Sequence, residues 1–399
     1  MASLTSLIGL FVLLFFAWLM SNNKKKINYR LVASGLILQF IFALLVLKTA
    51  PGRWFFSAAN DAVTKLLSFS DAGAAMIFGE GFKEHFFAFS VLPTIIFVSA
   101  LFSVLFYIGV IQYVIKWLAY VMVKVMDVSG AESLSVCADI FVGQTEAPLV
   151  VKPYIPTMTR TEIMSMMIGG MASIAGGVMA AYVSFGVDAG HLLAASIMSA
   201  PAALIIANIL MPETEVSLTK GTVKIQLEKS AENVLDAACT GAGDGLKLAL
   251  NVGAMLIAFI ALTAMANYFF SFLPAVGGMP MSIERVLGWI FAPIAYIVGV
   301  DFKDIGAVGT LIGQKMLINE FVAYLSLKDL KDVISERSFT IATYALCGFA
   351  NFSSIAIQIG GTGSLVPSRR ADIAKLGFKA MIGATIATLM TATFAGMLL

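Results

Sequence analysis

The chain has 399 residues, of which 59% are hydrophobic and 13% are charged, and its mean hydropathy is +0.91. Soluble domains carry about 25% charged residues, so this composition excludes an ordinary soluble enzyme and predicts a polytopic membrane protein. The formal net charge of +2 does not indicate nucleic acid as a partner, and we expect none.

The N-terminal apolar run, 4–21, is predicted to remain in the protein as a membrane span. A secretory signal carries its basic residues before the apolar run and a cleavage site after it. Here the basic residues Lys24, Lys25, Lys26 and Arg30 all follow the run. The run is therefore expected to be a transmembrane helix.

Eight stretches hold about 20 or more largely apolar residues, the length that crosses a bilayer as a helix. They are 4–21, 31–49, 86–114, 162–184, 190–211, 246–273, 340–365 and 376–399. Four other apolar stretches, at 115–128, 131–152, 283–300 and 305–327, are too short or too interrupted for a simple crossing. They predict interfacial helices or re-entrant hairpins. The predicted fold class is all-α, with eight transmembrane helices and two re-entrant hairpins.

The basic loops predict the orientation, because Lys and Arg concentrate in cytoplasmic loops. The first loop contains three lysines and Arg30, and the last contains Arg369, Arg370, Lys375 and Lys379 against a single acid, Asp372. Both loops should be cytoplasmic, so both termini should lie outside. The polar connection 212–232 mixes Glu213, Glu215, Lys220, Lys224, Glu228 and Lys229. We expect it to be a solvated cytoplasmic linker.

The order of elements after the third span recurs after the sixth. Each time an amphipathic piece precedes a Gly-Gln hairpin, at Gly143-Gln144 and Gly313-Gln314, and a helix containing Ser-Ile-Ala follows. Three spans per unit is an odd number, so the second unit must enter the membrane from the opposite side. Inverted repeats with interrupted helices are typical of secondary transporters, whose sites lie near the membrane midplane.

Each predicted hairpin carries a carboxylate, Glu146 in the first and Glu320 in the second. A charged side chain at the bilayer centre costs at least about 2.5 to 3.5 kcal/mol, so such residues usually face a water-filled cavity on a solute pathway. The two carboxylates therefore predict a polar chamber between the hairpins.

Four motifs resemble the concentrative nucleoside transporters, and the resemblance covers nearly the whole chain. The motifs are GQTEAPLVVKP at 143–153, MASIAGG at 171–177, NEFVAY at 319–324 and ALCGFAN at 345–351. The resemblance implies sodium-coupled nucleoside uptake by a homotrimer whose transport domain moves like an elevator on a static scaffold. The absence of long terminal extensions predicts a bacterial inner (plasma) membrane location, and we expect no cofactor apart from the coupling ion.

The resemblance divides the chain into four regions. Scaffold helices would cover 1–114, and a first transport-domain repeat would cover 115–211. The linker and a long scaffold helix would cover 212–273, and a second transport-domain repeat would cover 274–399.

The same resemblance assigns the substrate positions. The nucleobase would be read by Gln144, Thr145 and Glu146, whose amide, hydroxyl and carboxylate can pair with a mixed donor and acceptor edge. The ribose would be held by Glu320, Asn351 and Ser354, through charge-assisted bonds to its hydroxyls. Val178 and Phe349 would be apolar walls near the nucleoside.

The coupling sodium ion would be held by oxygens at four positions, Asp139, Val142, Ser173 and Ile174. Sodium-coupled members of the family usually carry Asn at the first of these. An aspartate adds a full negative charge, which would tighten cation binding or, once protonated, let a proton replace the cation. Proton coupling is therefore the alternative to sodium coupling.

Several structural roles compete with these assignments. Gln144 and Thr145 could satisfy only the hairpin backbone. Glu146 and Glu320 could pair with Lys315 or another basic residue as structural bridges. Asn351 could be an interhelical clamp, and Ser173 and Ser354 could bond back to their own helical turns.

Two other functional classes compete as well. An intramembrane enzyme could use Glu146 and Glu320 as an acid/base pair, but the sequence offers no nucleophile with a base and no metal set. A passive channel would account for buried carboxylates and not for the duplicated hairpins. A protein that is not an enzyme is therefore expected.

Overall fold

The computed structural model describes residues 2–85, 87–221 and 231–399. Within these residues the regular structure is helical, and only two isolated β-bridges occur. The all-α prediction is confirmed for the described part of the chain. Phe86 of the third predicted span and Lys224, Glu228 and Lys229 of the predicted linker lie outside the described residues.

Seventeen α-helices form the described part of the chain. In chain order they are α1 (Ala2–Leu19), α2 (Tyr29–Lys48), α3 (Ala50–Phe78), α4 (Leu92–Tyr107), α5 (Val110–Met126), α6 (Gly130–Ala138), α7 (Ala147–Val151), α8 (Arg160–Ala172), α9 (Gly176–Ser184), α10 (Ala189–Leu210), α11 (Val234–Phe270), α12 (Ile283–Val298), α13 (Ile305–Leu317), α14 (Glu320–Asp329), α15 (Glu336–Leu346), α16 (Phe352–Leu365) and α17 (Arg370–Leu398).

Six helical segments among the described residues are long and apolar enough to cross a membrane. They are Tyr29–Lys48, Phe87–Tyr107, Arg160–Ser184, Ala189–Leu210, Val234–Phe270 and Pro367–Leu398. The two remaining predicted spans, 4–21 and 340–365, correspond to the shorter apolar helix α1 and to the interrupted pair α15 and α16. Six of the eight predicted spans thus coincide with long apolar helical segments, of which Arg160–Ser184 is interrupted between α8 and α9.

Two helices differ from the sequence-based expectation. Helix α3 has 29 residues. The sequence predicts no element there, because charged residues interrupt the apolar ones and no long apolar run is left. Thr49 caps it by accepting from the Gly52 nitrogen, and Pro51 stands in its first turn. Helix α11 begins at Val234 rather than near 246, and its polar first turns pack against α4 through the small residues Gly241 and Gly245.

The repeated order of elements is present in the structure. The first unit runs through α5, the short pair α6 and α7, the broken pair α8 and α9, and α10. The second runs through α12, the pair α13 and α14, the broken pair α15 and α16, and α17. The predicted interfacial stretches at 115–128 and 283–300 coincide with α5 and α12, which are amphipathic.

The two broken helices cross where their backbones are interrupted, at 173–175 and at 347–351. Gly348 lies in this crossing with φ +143°, and a Cβ atom there would lie 2.9 Å from the carbonyl oxygens of Met171 and Ala172. Only glycine accommodates both this backbone conformation and this approach. The crossing brings the free ends of four short helices to one place.

The core of the molecule lies around α8, α10 and α17, which are buried along most of their length. Helices α1 and α2 pack against α17 and α10, whereas α4 packs along α11 and touches α9. Helix α11 is mostly exposed and buries only a stripe of small residues and Leu256.

Candidate binding site for a polar solute and a cation

A cavity of about 180 Å³ lies where the two short helix pairs meet the two helix breaks. The eight residues predicted to contact substrate all line this cavity: Gln144, Thr145, Glu146, Val178, Glu320, Phe349, Asn351 and Ser354. They come from five separate elements, so the chain fold brings together positions that are up to 210 residues apart.

Glu320 is the first residue of α14 and is only 6% exposed. Its Oε1 accepts from the Tyr182 hydroxyl at 3.2 Å, and its Oε2 accepts from Asn351 Nδ2 at 2.8 Å. Both donors are neutral, and the carboxylate oxygens have further lone pairs for a ligand. Its place at a helix N-terminus also favours a negative group.

Asn351 connects this carboxylate to the second broken helix. Its Oδ1 accepts from the Ser354 nitrogen at 3.0 Å, which makes Asn351 the N-cap of α16. Its Nδ2 donates to Glu320 and has a second hydrogen left for a ligand. Asn351 can therefore join two helices and still contact a ligand.

Gln144 lies in the turn between α6 and α7 and is 7% exposed. Its Nε2 donates to the Ser354 hydroxyl at 3.0 Å, and its Oε1 accepts from Gln358 Nε2 at 3.2 Å. The Ser354 hydroxyl thus accepts a bond from the turn between α6 and α7. The alternative was a bond from this hydroxyl to its own helical turn. The amide of Gln144 is held by side chains and not by the backbone of its own turn.

Glu146 is exposed to the cavity at the N-cap of the short helix α7. None of the salt bridges among the described residues involves Glu146 or Glu320. Lys315 instead donates to the Ala345 carbonyl and to the Thr388 hydroxyl, both at 2.9 Å. The alternative of a structural bridge to Lys315 is therefore not found for either carboxylate.

Asp139 stands at the end of α6 and is 1% exposed. Neither of its carboxylate oxygens has a hydrogen-bond partner among the described residues. The carboxylate lies against the last turns of α8, since Cβ atoms added at Gly169 and Gly170 would be 3.0 Å from Oδ2 and 3.4 Å from Oδ1. Two helices end here, and helix C-termini favour a cation.

The other three predicted cation positions flank this point. Ser173 and Ile174 form the break after α8, and Val142 lies in the turn after Asp139. The Gly176 nitrogen donates to the Phe141 carbonyl at 3.1 Å, which ties that turn to the break. The Ser173 hydroxyl donates to the Gly169 carbonyl at 3.0 Å, as its structural alternative predicted, and its oxygen remains an acceptor.

A second cavity of about 960 Å³ adjoins the first. Both are lined by Gly143, Glu146, Ala175 and Leu248. The larger cavity extends between the first turns of α11 and the end of α16, where Asp244 and Leu365 line it. The smaller cavity therefore shares part of its wall with the larger one.

Three family profiles together match most of the chain. Residues 8–81 match the Na+ dependent nucleoside transporter N-terminus, 88–189 match nucleoside recognition, and 191–396 match the Na+ dependent nucleoside transporter C-terminus. The chain belongs to the Na+ dependent nucleoside transporter family. The resemblance drawn from the four sequence motifs is thereby confirmed.

Relatives in this family come from bacteria and animals. An uncharacterized transporter of Haemophilus influenzae is 46% identical over 100% of this chain and 98% of its own. Sodium/nucleoside cotransporter 1 of Rattus norvegicus is 40% identical over 99% of this chain, and solute carrier family 28 member 3 of Mus musculus is 42% identical over 99%. The chain spans 64% and 59% of the length of these two animal relatives.

Solved structures of a family member, CNTnw, have the same fold. An inward-facing substrate-bound state matches with a TM-score of 0.92 and 42% identity, over 100% of this chain and 98% of the other. An outward-facing double variant matches with a TM-score of 0.94 and 42% identity, over 100% and 99%.

The sequence did not predict three contributors to the site in the present protein. Helix α11 supplies an apolar wall of Leu248, Val252, Met255 and Leu256. Tyr182 holds Glu320, and Gln358 holds Gln144. The α11 residues are apolar like their neighbours, so the sequence does not distinguish them as part of a site. Gln358 is a polar residue in the apolar helix α16, and that contrast alone could have indicated a role.

Proposed function

We propose that this protein is a secondary active symporter that imports nucleosides together with sodium. The observation that carries the proposal is the cavity lined by Gln144, Glu146 and Glu320, with the unpaired carboxylate of Asp139 directly behind the first turn. A polar solute and a cation could then be bound side by side.

Substrate recognition would use the two ends of the cavity. The Glu320 carboxylate and the free Asn351 hydrogen suit two neighbouring hydroxyls of a ribose, with charge-assisted bonds about twice as strong as neutral ones. Gln144, Thr145 and Glu146 would pair with the base, and Val178 and Phe349 would pack on its faces. An analogue without the hydroxyls would leave Glu320 unpaired.

The cation would bind to Asp139 and to oxygens of Val142, Ser173 and Ile174. Oxygen ligands suit a hard alkali cation, and the ends of α6 and α8 add the negative side of two helix dipoles. Binding there would fix the first turn against α8 and so position Gln144. Coupling requires only that both ligands favour the same arrangement, typically by about 1 to 3 kcal/mol.

A proton-coupled symporter is the second candidate, and one observation favours it. The buried oxygens of Asp139 have no donor within the described part of the chain, so a proton bound there could replace the cation. Sodium remains our first choice because the family and a named rat relative are sodium-dependent.

We propose the remaining architecture with the function. The pairs α6 with α7 and α13 with α14 would be re-entrant hairpins, and eight segments would cross the membrane with both termini outside. The hairpins and broken helices in 115–211 and 274–399 would move as an elevator against 1–114 and the long helix within 212–273. The extensive exposed apolar surface of α4 and α11 is compatible with lipid and with a homotrimer in a bacterial inner membrane.

Uptake into liposomes tests this function. Purified protein in proteoliposomes would be given radiolabelled uridine under an inward sodium gradient, an inward proton gradient, both or neither, with empty liposomes as the control. We expect accumulation above the external concentration only with sodium. Accumulation with protons alone would select the second candidate, and equilibration without accumulation would contradict both.

A further inference from the structure

A second glutamine, Gln358 on α16, lies behind Gln144 and outside the cavity lining. It is 3% exposed. Its Nε2 lies 3.1 Å from the Met167 carbonyl of α8 and 3.2 Å from Gln144 Oε1. One amide group therefore joins α16, α8 and the turn that carries the base-reading residues.

The Met167 carbonyl determines how this amide is oriented. A carbonyl oxygen can only accept, so the NH2 group of Gln358 must face it. The same NH2 group also faces Gln144, so the side-chain oxygen of Gln144 must be the acceptor. The nitrogen of Gln144 is then left on the opposite side, where it donates to the Ser354 hydroxyl at 3.0 Å.

Close packing keeps this arrangement in place. A Cβ atom added at Gly170 would lie 2.9 Å from both Gln144 Cβ and Gln358 Nε2. The absence of a side chain at Gly170 is what lets the two glutamines approach α8. An amide reversal of Gln144 would set two NH2 groups against each other in a buried space, and unpaired buried donors are costly.

We propose that Gln358 is a positioning residue that fixes the donor–acceptor polarity of Gln144 and thereby sets which nucleobases this transporter prefers. The inference rests on the proposed nucleoside transport. Gln144 then offers its remaining N–H on the side of Ser354, which lines the cavity. Glu146 on the next turn offers only acceptors.

A Gln144 amide whose donor and acceptor are held in fixed positions distinguishes uracil from cytosine. Uracil presents a carbonyl acceptor beside an N–H donor, and cytosine presents an amino donor beside a nitrogen acceptor, so the order of donor and acceptor along the edge is reversed. A Gln144 amide that could turn freely would pair with either. Gln358 therefore matters for the ratio of affinities and not for transport as such.

The test compares inhibition of labelled uridine uptake by unlabelled uridine and cytidine. Gln358→Leu removes the hydrogen bond to Gln144 Oε1. We expect the ratio of the inhibition constants of cytidine and uridine to move toward one by about ten-fold relative to the wild-type ratio. Gln358→Glu keeps the volume, and its protonated carboxyl can donate to the Met167 carbonyl while it places an acceptor oxygen beside Gln144, so we expect the preference to invert. At saturating uridine, the sodium concentration for half-maximal uptake should stay near the wild-type value in both variants.

Gln39→Leu is the matched control. Gln39 is also a buried glutamine with one side-chain bond, to Thr391, and lies outside the cavity lining. A wild-type ratio already near one, or a wild-type ratio kept by both Gln358 variants, would overturn the inference. So would an equal loss for both nucleosides matching the loss in Gln39→Leu. Absence of any uptake by the wild-type protein would instead refute the proposed function.

Discussion

Asn351 Nδ2 donates to Glu320 Oε2 at 2.8 Å, and this bond joins the break between α15 and α16 to the first residue of α14. The same asparagine caps α16, so it fixes the carboxylate with respect to a helix N-terminus. The Tyr182 hydroxyl holds the other carboxylate oxygen from α9. Three elements thus position one charge on the cavity wall, and the first two predictions concern that charge.

Replacing Glu320 with Gln should reduce uridine uptake by about 100-fold, while the amount of folded protein in the membrane stays near the wild-type level. The amide cannot form charge-assisted bonds to ribose hydroxyls, and one hydrogen-bond acceptor becomes a donor. Initial uptake rates and the quantity of protein after gel filtration would be measured. Asp329→Asn at the exposed end of α14 is the control, and equal uptake by Glu320→Gln would exclude a ribose contact.

Replacing Tyr182 with Phe should weaken nucleoside binding by about 5-fold and leave the maximal rate nearly unchanged. The change removes one hydrogen bond to a charged group, worth about 1 kcal/mol or somewhat more. The ring keeps its stacked contact with Tyr324, whose centroid lies 4.2 Å away. Concentration dependence of uptake gives both constants, and a lower maximal rate with unchanged affinity would contradict this role.

The motif residues could be predicted from the sequence because each combines an unusual residue type with an apolar neighbourhood. Glu320, Gln144 and Asn351 stand out for that reason, and the structure brings them to one cavity. Gln358 could not be assigned a role in this way, since its partner Met167 lies 191 positions away and offers only a backbone carbonyl. The side chain of Met167 gives no indication of such a contact.

Some helices could likewise be predicted from the sequence, and others could not. Long apolar runs such as Ala189–Leu210 could be predicted because hydrophobic length alone determines a span. Helix α3 could not, because Arg53, Asp61, Lys65 and Asp71 interrupt its apolar residues. It contacts α2, α4 and α10, which no local pattern indicates. Local pattern therefore predicts what the bilayer requires, and tertiary contacts determine the rest.

Replacing Asp139 with Asn should raise the sodium concentration for half-maximal uptake by about 10-fold, which corresponds to about 1.4 kcal/mol. The cation would lose a full opposite charge and keep an oxygen ligand. Any uptake driven by a proton gradient should disappear, since an amide does not titrate. Uptake at graded sodium concentrations and fixed pH measures the first effect. Unchanged sodium dependence would place the cation elsewhere.

Replacing Lys315 with Met should destabilise the folded protein by about 1 to 3 kcal/mol. The buried ammonium is the donor to the Ala345 carbonyl and the Thr388 hydroxyl. Thr388 can still donate to the Thr385 carbonyl of its own helix, whereas Ala345 would keep an unsatisfied buried acceptor. Thermal unfolding in detergent would measure the loss. Lys375→Met at an exposed position of α17 is the comparison, and equal melting temperatures for the two variants would contradict this account.

Replacing Gly348 with Ala should prevent folding, whereas replacing Gly360 with Ala should be neutral or slightly stabilising. At Gly348 a Cβ atom would lie 2.9 Å from backbone atoms of Ala172, and φ is +143°. Backbone cannot yield as a flexible side chain can, so the crossing of the two helix breaks would separate. Gly360 lies in α16 with nothing within 4 Å of an added Cβ, and alanine favours a helix over glycine by about 1 kcal/mol. The yield of monodisperse protein and its melting temperature distinguish the two positions. A well-folded Gly348→Ala protein would show that the crossing can be formed without this close approach.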